Sequence, residues 1–143
     1  MEYTSIFDII GPIMVGPSSS HTAGALQIAK HARGLLGTQP LSAEITLYNS
    51  FAKTHKGHST DVAIIGGILD FDTDDENIPF ALQIAKDLGI DFTFILTEDE
   101  TLHPNTAKII LKDNIRTLEI EGKSIGGGAY KINYELWDGD EFV

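Results

Sequence analysis

Gly16-Pro17-Ser18-Ser19-Ser20-His21-Thr22-Ala23-Gly24 is the stretch around which the rest of this sequence is best interpreted. It stands directly before residues 25–37, whose apolar residues recur at helical spacing as far as Gly37, a residue typical of a helix end. Serine and threonine are common N-cap residues. The free N–H groups of a first helical turn, with the positive end of the helix dipole, also bind carboxylates and phosphates. The stretch therefore predicts either a serine-rich helix cap or an anion site at the start of a helix.

The wider stretch Ile10-Gly11-Pro12-Ile13-Met14-Val15-Gly16-Pro17-Ser18-Ser19-Ser20-His21-Thr22 resembles the signature of the β chain of the bacterial iron–sulfur L-serine dehydratases. Two later segments also match motifs of that family. Gly57-His58-Ser59-Thr60-Asp61 matches Gly-His-x-Thr-Asp, and His103-Pro104-Asn105 matches His-Pro-Asn. The resemblance covers nearly all of the chain.

The resemblance implies an L-serine ammonia-lyase that converts L-serine to pyruvate and ammonia, in serine catabolism and gluconeogenesis. In that family a [4Fe–4S] cluster acts as a Lewis acid on the substrate hydroxyl, a base removes the α-proton, and aminoacrylate forms and hydrolyses. The cluster cysteines lie in an α chain or α domain. This chain has no cysteine, so it would be the β subunit and inactive without the cysteine-bearing α chain. Family β chains commonly continue into an ACT-type domain, and the resemblance implies that this sequence corresponds to the domain that precedes it.

The motifs give a set of candidate site residues. The resemblance implies that residues 18–22 contact the substrate carboxylate. It also implies that residues 57–61 line the pocket that holds the substrate and the iron–sulfur cluster. The base is undecided between His21 and His58. The candidates for catalysis are His58, Thr60, Asp61 and His21, and those for substrate binding are Ser18, Ser19, Ser20, Thr22, Asn105, Gly126 and Gly127.

Gly126 and Gly127 belong to a glycine-rich segment, Ser124-Ile125-Gly126-Gly127-Gly128, which we call the glycine cluster. Consecutive glycines expose backbone N–H groups and allow an anion to approach closely. A flexible hairpin connection is the alternative interpretation. The sequence contains neither the dinucleotide-binding glycine fingerprint nor the phosphate-binding Gly-Lys-Ser/Thr pattern, so the cluster does not indicate a nucleotide site.

Composition limits the classes of function. The net charge of −11 argues against nucleic-acid binding and against an anionic membrane surface. No apolar run approaches the length of about 20 residues that a membrane helix needs. The absence of cysteine is consistent with a cytoplasmic protein and excludes a thiolate-held metal site built by this chain alone. Acidic residues at 70–76 and 98–100 favour solvated loops over cation sites.

Three other functions compete with the dehydratase subunit. A serine hydrolase is disfavoured because Ser20 and His21 are adjacent and the Gly-x-Ser-x-Gly elbow is absent. Pyridoxal phosphate chemistry would need one of Lys53, Lys56 or Lys108 in a cofactor pocket that the sequence does not indicate. A stand-alone regulatory module that binds a small carboxylate remains open, since similar domains serve as allosteric substrate-binding domains.

The pattern predicts one domain over residues 1–143, of class α+β, with a mixed sheet packed by helices. Helices are expected at 5–12, 21–36, 61–69 and 78–89, and strands at 43–49, 91–96, 106–112, 117–121 and 129–137. Tyr130, Ile132, Tyr134 and Leu136 are expected on one side of the last strand. That side and the apolar 62–69 helix predict a homo-oligomer or a large partner surface.

Overall fold

The computed structural model describes residues 19–54 and 60–139 of the chain, without the side chains of residues 19–21, 54 and 139. The helix expected at 5–12 lies outside these residues. A 3₁₀ turn at Ile78–Phe80 precedes the fourth helix. The helices are α1 Ser19–Leu36, α2 Ser50–Thr54, α3 Thr60–Ile68 and α4 Ala81–Asp87, and the strands are β1 Ser42–Tyr48, β2 Asp91–Thr97, β3 Thr106–Lys112, β4 Arg116–Gly126 and β5 Ala129–Gly139.

The five strands form one mixed sheet in the order β2-β1-β3-β4-β5. β1 and β2 are parallel and are joined by the long connection that contains α2, α3 and α4, and the other three pairings are antiparallel. Asp113-Asn114 is a turn signal between two strand patterns and predicts that β3 and β4 pair as a hairpin. That hairpin is confirmed, with Asp113 at its turn. Hydrogen bonds from the Ile115 N–H and the Arg116 backbone and guanidinium hold the pKa of Asp113 below its usual value. The α+β class with a mixed sheet is therefore confirmed.

Helices cover one face of the sheet. Ala43, Ile45 and Leu47 alternate along β1 toward these helices, and Ile109 and Ile120 continue the core across β3 and β4. Helix α3 contains most of the apolar 62–69 segment, and its residues from Ala63 to Ile68 are buried. Because these residues are buried, α3 does not offer the partner surface that the sequence predicted, and that part of the prediction was wrong.

The last strand does not follow the simple alternation expected from its sequence. The pairing of β4 with β5 shifts between Glu121 and Gly122, so Ile132 pairs with Gly122 while Tyr134 pairs with Glu121. Tyr130 and Ile132 pack on the core, whereas the Tyr134 hydroxyl donates to Glu119 Oε2 at 2.7 Å on the open face. A β-bulge thus divides the four residues that were expected on one side.

Candidate functional site

The site is built at one edge of the sheet, which we call the site edge. It is formed by the ends of β1, β2 and β4 at Tyr48, Thr97 and Gly126, and by the starts of β3 and β5 at Thr106 and Ala129. Parallel strands end together, and each antiparallel neighbour starts where its partner ends. Segments far apart in the sequence, around residues 49, 105 and 124–129, therefore meet here.

Helix α1 begins at the site edge. Gly24, in its second turn, lies so close to β4 that an added Cβ would overlap Ser124 Oγ, with Ser124 Cβ at 2.6 Å. At the far end of the helix, the Leu36 carbonyl accepts a hydrogen bond from Arg116 Nη2 at 2.6 Å, at the start of β4. The helix therefore runs antiparallel to β4, and the N–H groups of its first turn, which have no acceptor within a helix, lie at the site edge.

Helix α3 begins at the same end of the molecule as α1. Successive contacts advance along both helices together: Ala63 packs with Leu26, Gly67 meets the backbone of 26–30, and the carboxylate after α3, Asp70, pairs with Lys30. The two helices thus run in the same direction. Their N-termini, at Ser19 and at Thr60, both point toward the site edge.

Asn105 and Ser124 are buried side by side at the site edge. The Ser124 N–H donates to the Asn105 carbonyl at 2.9 Å, and the two side chains are 9% and 0% exposed. Asn105 Oδ1 and Ser124 Oγ are the buried side-chain polar atoms of residues 19–54 and 60–139 that have no hydrogen-bond partner. An unsatisfied buried polar atom costs about 1–3 kcal/mol. The pair therefore marks a place where a polar ligand or an ordered water would be stabilising.

The loop before Asn105 is fixed by short-range hydrogen bonds. The Asn105 N–H donates to His103 Nδ1 at 3.0 Å, and the Thr106 hydroxyl donates to the His103 carbonyl at 2.8 Å. A neutral His103 ring that accepts at Nδ1 carries its proton on Nε2. Asn49, which follows β1, also donates to the Asp99 carbonyl at 3.1 Å and ties this loop to the end of β1.

The glycine cluster forms the turn between β4 and β5. Gly126, Gly127 and Gly128 have φ values of 98°, 63° and 80°, a left-handed region that favours glycine. Gly126 and Gly127 would accommodate a Cβ in open space, while a Cβ on Gly128 would lie 3.6 Å from Ala23 of α1. The turn therefore faces the start of α1. The loop expected at residues 124–128 is shorter in the structure, because β4 extends from Arg116 to Gly126 and includes Ser124.

The candidate site residues fall into three groups in the structure. Ser18 and His58 lie outside the described residues. The backbone of Ser19, Ser20 and His21 forms the first turn of α1. The other six are fully described: Thr22 and Thr60, both buried; Asp61, whose Oδ1 accepts from the Val62 N–H at 2.8 Å; Asn105; Gly126; and Gly127.

The sequence prediction did not include the Ser124 side chain. The prediction for this cluster rests on the backbone N–H groups that its glycines expose, and it therefore names Gly126 and Gly127. One signal was available. Leu118, Ile120, Gly122 and Ser124 share the buried face of β4, so the alternation of this strand continues inward to a polar residue.

The acidic runs are engaged in ion pairs and turns. Lys30 Nζ lies 3.1 Å from Asp70 Oδ1 and 3.2 Å from Asp72 Oδ1. Asp99 accepts hydrogen bonds from the Thr101 hydroxyl and N–H, which hold its pKa below the usual value. Across residues 19–54 and 60–139, no three histidine, cysteine or acidic side chains come together as metal ligands. The same residues contain no helix long and apolar enough to cross a membrane.

Comparison with known proteins defines the class to which this fold and site belong. Residues 5–88, more than half of the chain, match the family model described as serine dehydratase beta chain. This chain belongs to that family.

Individual relatives agree with the family match. The chain is 57% identical over 132 residues to a protein named "Probable L-serine dehydratase, beta chain" from Bacillus subtilis, covering 92% of this chain and 60% of the relative. It is 46% identical over 130 residues to the "L-serine dehydratase, beta chain" of Peptoniphilus asaccharolyticus, covering 90% and 59%. The chain therefore spans about three fifths of the length of these two relatives.

A third relative has a different chain organisation. The protein named "L-serine dehydratase 2" of Escherichia coli is 39% identical over 93 residues, which are 59% of this chain but 20% of the relative. In that protein the matching segment is thus a minor part of a longer polypeptide.

Proposed function

We propose that this chain is the β subunit of an iron–sulfur L-serine dehydratase, and that it contributes substrate-binding residues to a site shared with an α chain. The proposal rests on what meets at the site edge of this member of the serine dehydratase β-chain family. At that edge lie the N-terminus of α1, the glycine turn, and two buried oxygens without a hydrogen-bond partner, Asn105 Oδ1 and Ser124 Oγ. Backbone N–H groups suit the substrate carboxylate, and the two buried oxygens suit its polar donors.

The reaction assigned to the complete enzyme eliminates water from L-serine. A base takes the α-proton, the hydroxyl leaves as water, and the aminoacrylate that forms tautomerises and is hydrolysed to pyruvate and ammonia. This chain has no cysteine and therefore does not fit a thiolate-held cluster. We assign the [4Fe–4S] cluster to the α chain, and the role of this chain is to bind and orient the substrate and to move a proton.

The E. coli relative supports a shared site. The matching segment is 20% of a longer polypeptide named "L-serine dehydratase 2". The remainder of that polypeptide is long enough to include a part that corresponds to the α chain. We expect the corresponding parts here to come from a separate subunit. His21 and His58 remain the candidates for the proton-transferring base in this chain, and Thr60 and Asp61 are the other residues proposed for catalysis.

The purified chain alone is expected to produce no pyruvate from L-serine. The reason is that it carries no thiolate to hold a cluster. The measurement is an anaerobic pyruvate assay after iron–sulfur reconstitution, with this chain alone, with a cysteine-bearing α chain alone, and with both. Activity only in the mixture supports the proposal. Pyruvate from the single chain contradicts it, and L-serine binding without activity in any mixture would indicate the regulatory module instead.

Ser20→Ala, and likewise Ser19→Ala, is expected to raise the KM for L-serine by about one to two orders of magnitude in the two-chain enzyme. A hydrogen bond to a charged group is worth about 1.5–3 kcal/mol, which corresponds to that loss of affinity. The cluster absorbance should not change. Ser42→Ala is the matched control, because Ser42 starts β1 at the opposite end of the sheet. If the Ser19 and Ser20 variants kept wild-type kinetics, these serines would not bind the substrate and would serve only to cap the helix.

His58→Ala is expected to act mainly on kcat, with a fall of about 10²–10⁴-fold, which is the usual contribution of general acid–base catalysis. An imidazole titrates near neutral pH and so suits proton transfer better than anion binding. The measurement is the kcat and KM of the reconstituted two-chain enzyme. A rise in KM at unchanged kcat would assign His58 to substrate binding, and wild-type kinetics would remove it from the site.

A further inference from the structure

Two buried oxygens at the site edge differ from a neighbouring buried hydroxyl in their hydrogen bonding. Within the part of the chain that the structure describes, Asn105 Oδ1 and Ser124 Oγ have no hydrogen-bond partner. The hydroxyl of Thr106, a residue as fully buried as Ser124, instead donates to the His103 carbonyl at 2.8 Å. A buried hydroxyl that bonds within the protein stabilises the fold, whereas one without a partner destabilises it. The needs of the fold therefore do not account for these two oxygens.

The Ser124 hydroxyl lies against the start of helix α1. An added Cβ on Gly24 would overlap Ser124 Oγ, so this oxygen contacts the second turn of the helix. A Cβ on Gly128 of the glycine turn would lie 3.6 Å from Ala23, so the turn packs on the same end of the helix. At a rise of about 1.5 Å per residue, the N–H groups of the first turn lie about 5 Å along the axis from Gly24. That separation is the span of a small molecule.

The two ends of this span favour opposite charges. The N–H groups of the first turn of α1, with the helix dipole, favour an anion. Asn105 Oδ1 accepts hydrogen bonds and cannot donate them, so its missing partner is a donor, and the Ser124 hydroxyl can accept from the same donor. An ammonium group has three N–H donors and no acceptor. An α-amino acid, which carries a carboxylate and an ammonium on one carbon, therefore matches both ends.

L-Serine has a second donor, its hydroxyl, but the elimination separates the roles of the two groups. The hydroxyl must leave as water and belongs with the Lewis acid, which the proposed function assigns to the α chain. The ammonium keeps its bonds while the α-proton and the hydroxyl depart, so this chain can hold it throughout that step. The net charge of −11 also favours a cation over a neutral group. The ammonium is therefore the donor that the two oxygens fit best.

We propose that Asn105 Oδ1 and Ser124 Oγ bind the substrate ammonium and make the site selective for α-amino acids over hydroxy acids that lack this group. This inference rests on the proposed function, which places the substrate carboxylate at the N-terminus of α1. Ser124 thereby becomes a specificity-determining residue of the site. Its unpartnered hydroxyl lowers the stability of the empty chain, and the bound ammonium supplies the missing hydrogen bond.

The first test measures discrimination by the two-chain enzyme, as the KM for L-serine and the inhibition constant of 3-hydroxypropanoate, which lacks only the ammonium. Ser124→Ala should raise the KM about ten- to a hundredfold and leave the inhibition constant unchanged, because it removes a hydrogen bond to a charged group that only L-serine has. Thr106→Val is the matched control, since it removes a buried hydroxyl that bonds within the protein. Any effect of the control should fall equally on both ligands. If Ser124→Ala changes both constants equally, or changes neither, the proposal is overturned.

The second test needs no activity. Ser124→Ala should leave the melting temperature of the purified chain unchanged or raise it by up to about 4 °C, because it deletes an unpartnered buried oxygen. Thr106→Val should lower it by about 4 °C, because the His103 carbonyl loses its donor. If Ser124→Ala lowers the melting temperature as much as Thr106→Val, the Ser124 hydroxyl supports the fold and the proposal fails. An inactive wild-type mixture would instead contradict the proposed function before any variant is compared, so the two failures are distinguishable.

Discussion

Gly67→Ala is expected to lower the free energy of unfolding by about 3 kcal/mol, at the upper end of the usual cost of overpacking. A Cβ on Gly67 would overlap the Leu26 carbonyl oxygen of α1 and would lie 2.8 Å from both Ala29 Cβ and the Lys30 nitrogen. Two of these three atoms are backbone, so the helices must separate to relieve the contact. Differential scanning calorimetry should show a melting temperature lower by about 10 °C.

Gly34→Ala is the control for this prediction. Gly34 lies in α1 with nothing within 4 Å of a Cβ, so alanine adds helix propensity without a contact. It should stabilise the chain by up to about 1 kcal/mol. If Gly67→Ala were as stable as Gly34→Ala, α1 and α3 would have to pack less closely than described. Such a result would also weaken the argument that the two helix N-termini lie at the same end.

Gly24→Ala is expected to destabilise the chain by about 2 kcal/mol or more and to shift the start of α1 away from β4. The atoms in the way are the Ser124 Oγ and Cβ, because the next neighbour, the Ala129 carbonyl oxygen, is at an ordinary 3.5 Å. The measurement is chemical denaturation. In the two-chain enzyme the KM for L-serine should also rise, since the displaced first turn belongs to the proposed site.

A second substitution should rescue this variant. Ser124→Gly removes the atoms that the new Cβ would meet, so the double variant Gly24→Ala/Ser124→Gly should recover most of the lost stability. The coupling between the two substitutions should exceed about 1 kcal/mol, as is found for residues in direct contact. Additive effects of the two substitutions would contradict the close contact between Gly24 and Ser124. No comparable rescue is expected for Gly67, whose neighbours are mainly backbone.

Much of the fold could be predicted from the sequence because the relevant signals are local. The apolar spacing after the serine stretch predicted α1 as far as Leu36, and Asp113-Asn114 predicted the β3–β4 turn. The family motifs predicted site residues in three separate segments. Ser18 and His58 lie outside the described residues, and the roles of all these residues stay predictions.

Other features depended on distant parts of the chain. The alternation of β5 predicted one apolar side, but the register shift between β4 and β5 at Gly122 divides that side. At this point a Cβ on Gly122 would lie 3.0 Å from Ile28 of α1, a neighbour that the sequence of the two strands does not reveal. Likewise, the apolar 62–69 segment predicted a partner surface, but the structure buries it. Burial of such a helix is decided by its packing on α1, and its glycines permit that packing.

What the sequence by itself determined is the set of chemical groups: hydroxyls, imidazoles and glycines in motifs, and no cysteine to hold a cluster. What only the tertiary structure decided is how these groups meet. Sheet order brings Asn105 and Ser124 side by side with their oxygens unpartnered, and parallel helices bring the starts of α1 and α3 to one edge. The physical reason is that periodicity and capping act over a few residues, whereas strand order and helix direction are set by burial of the whole core.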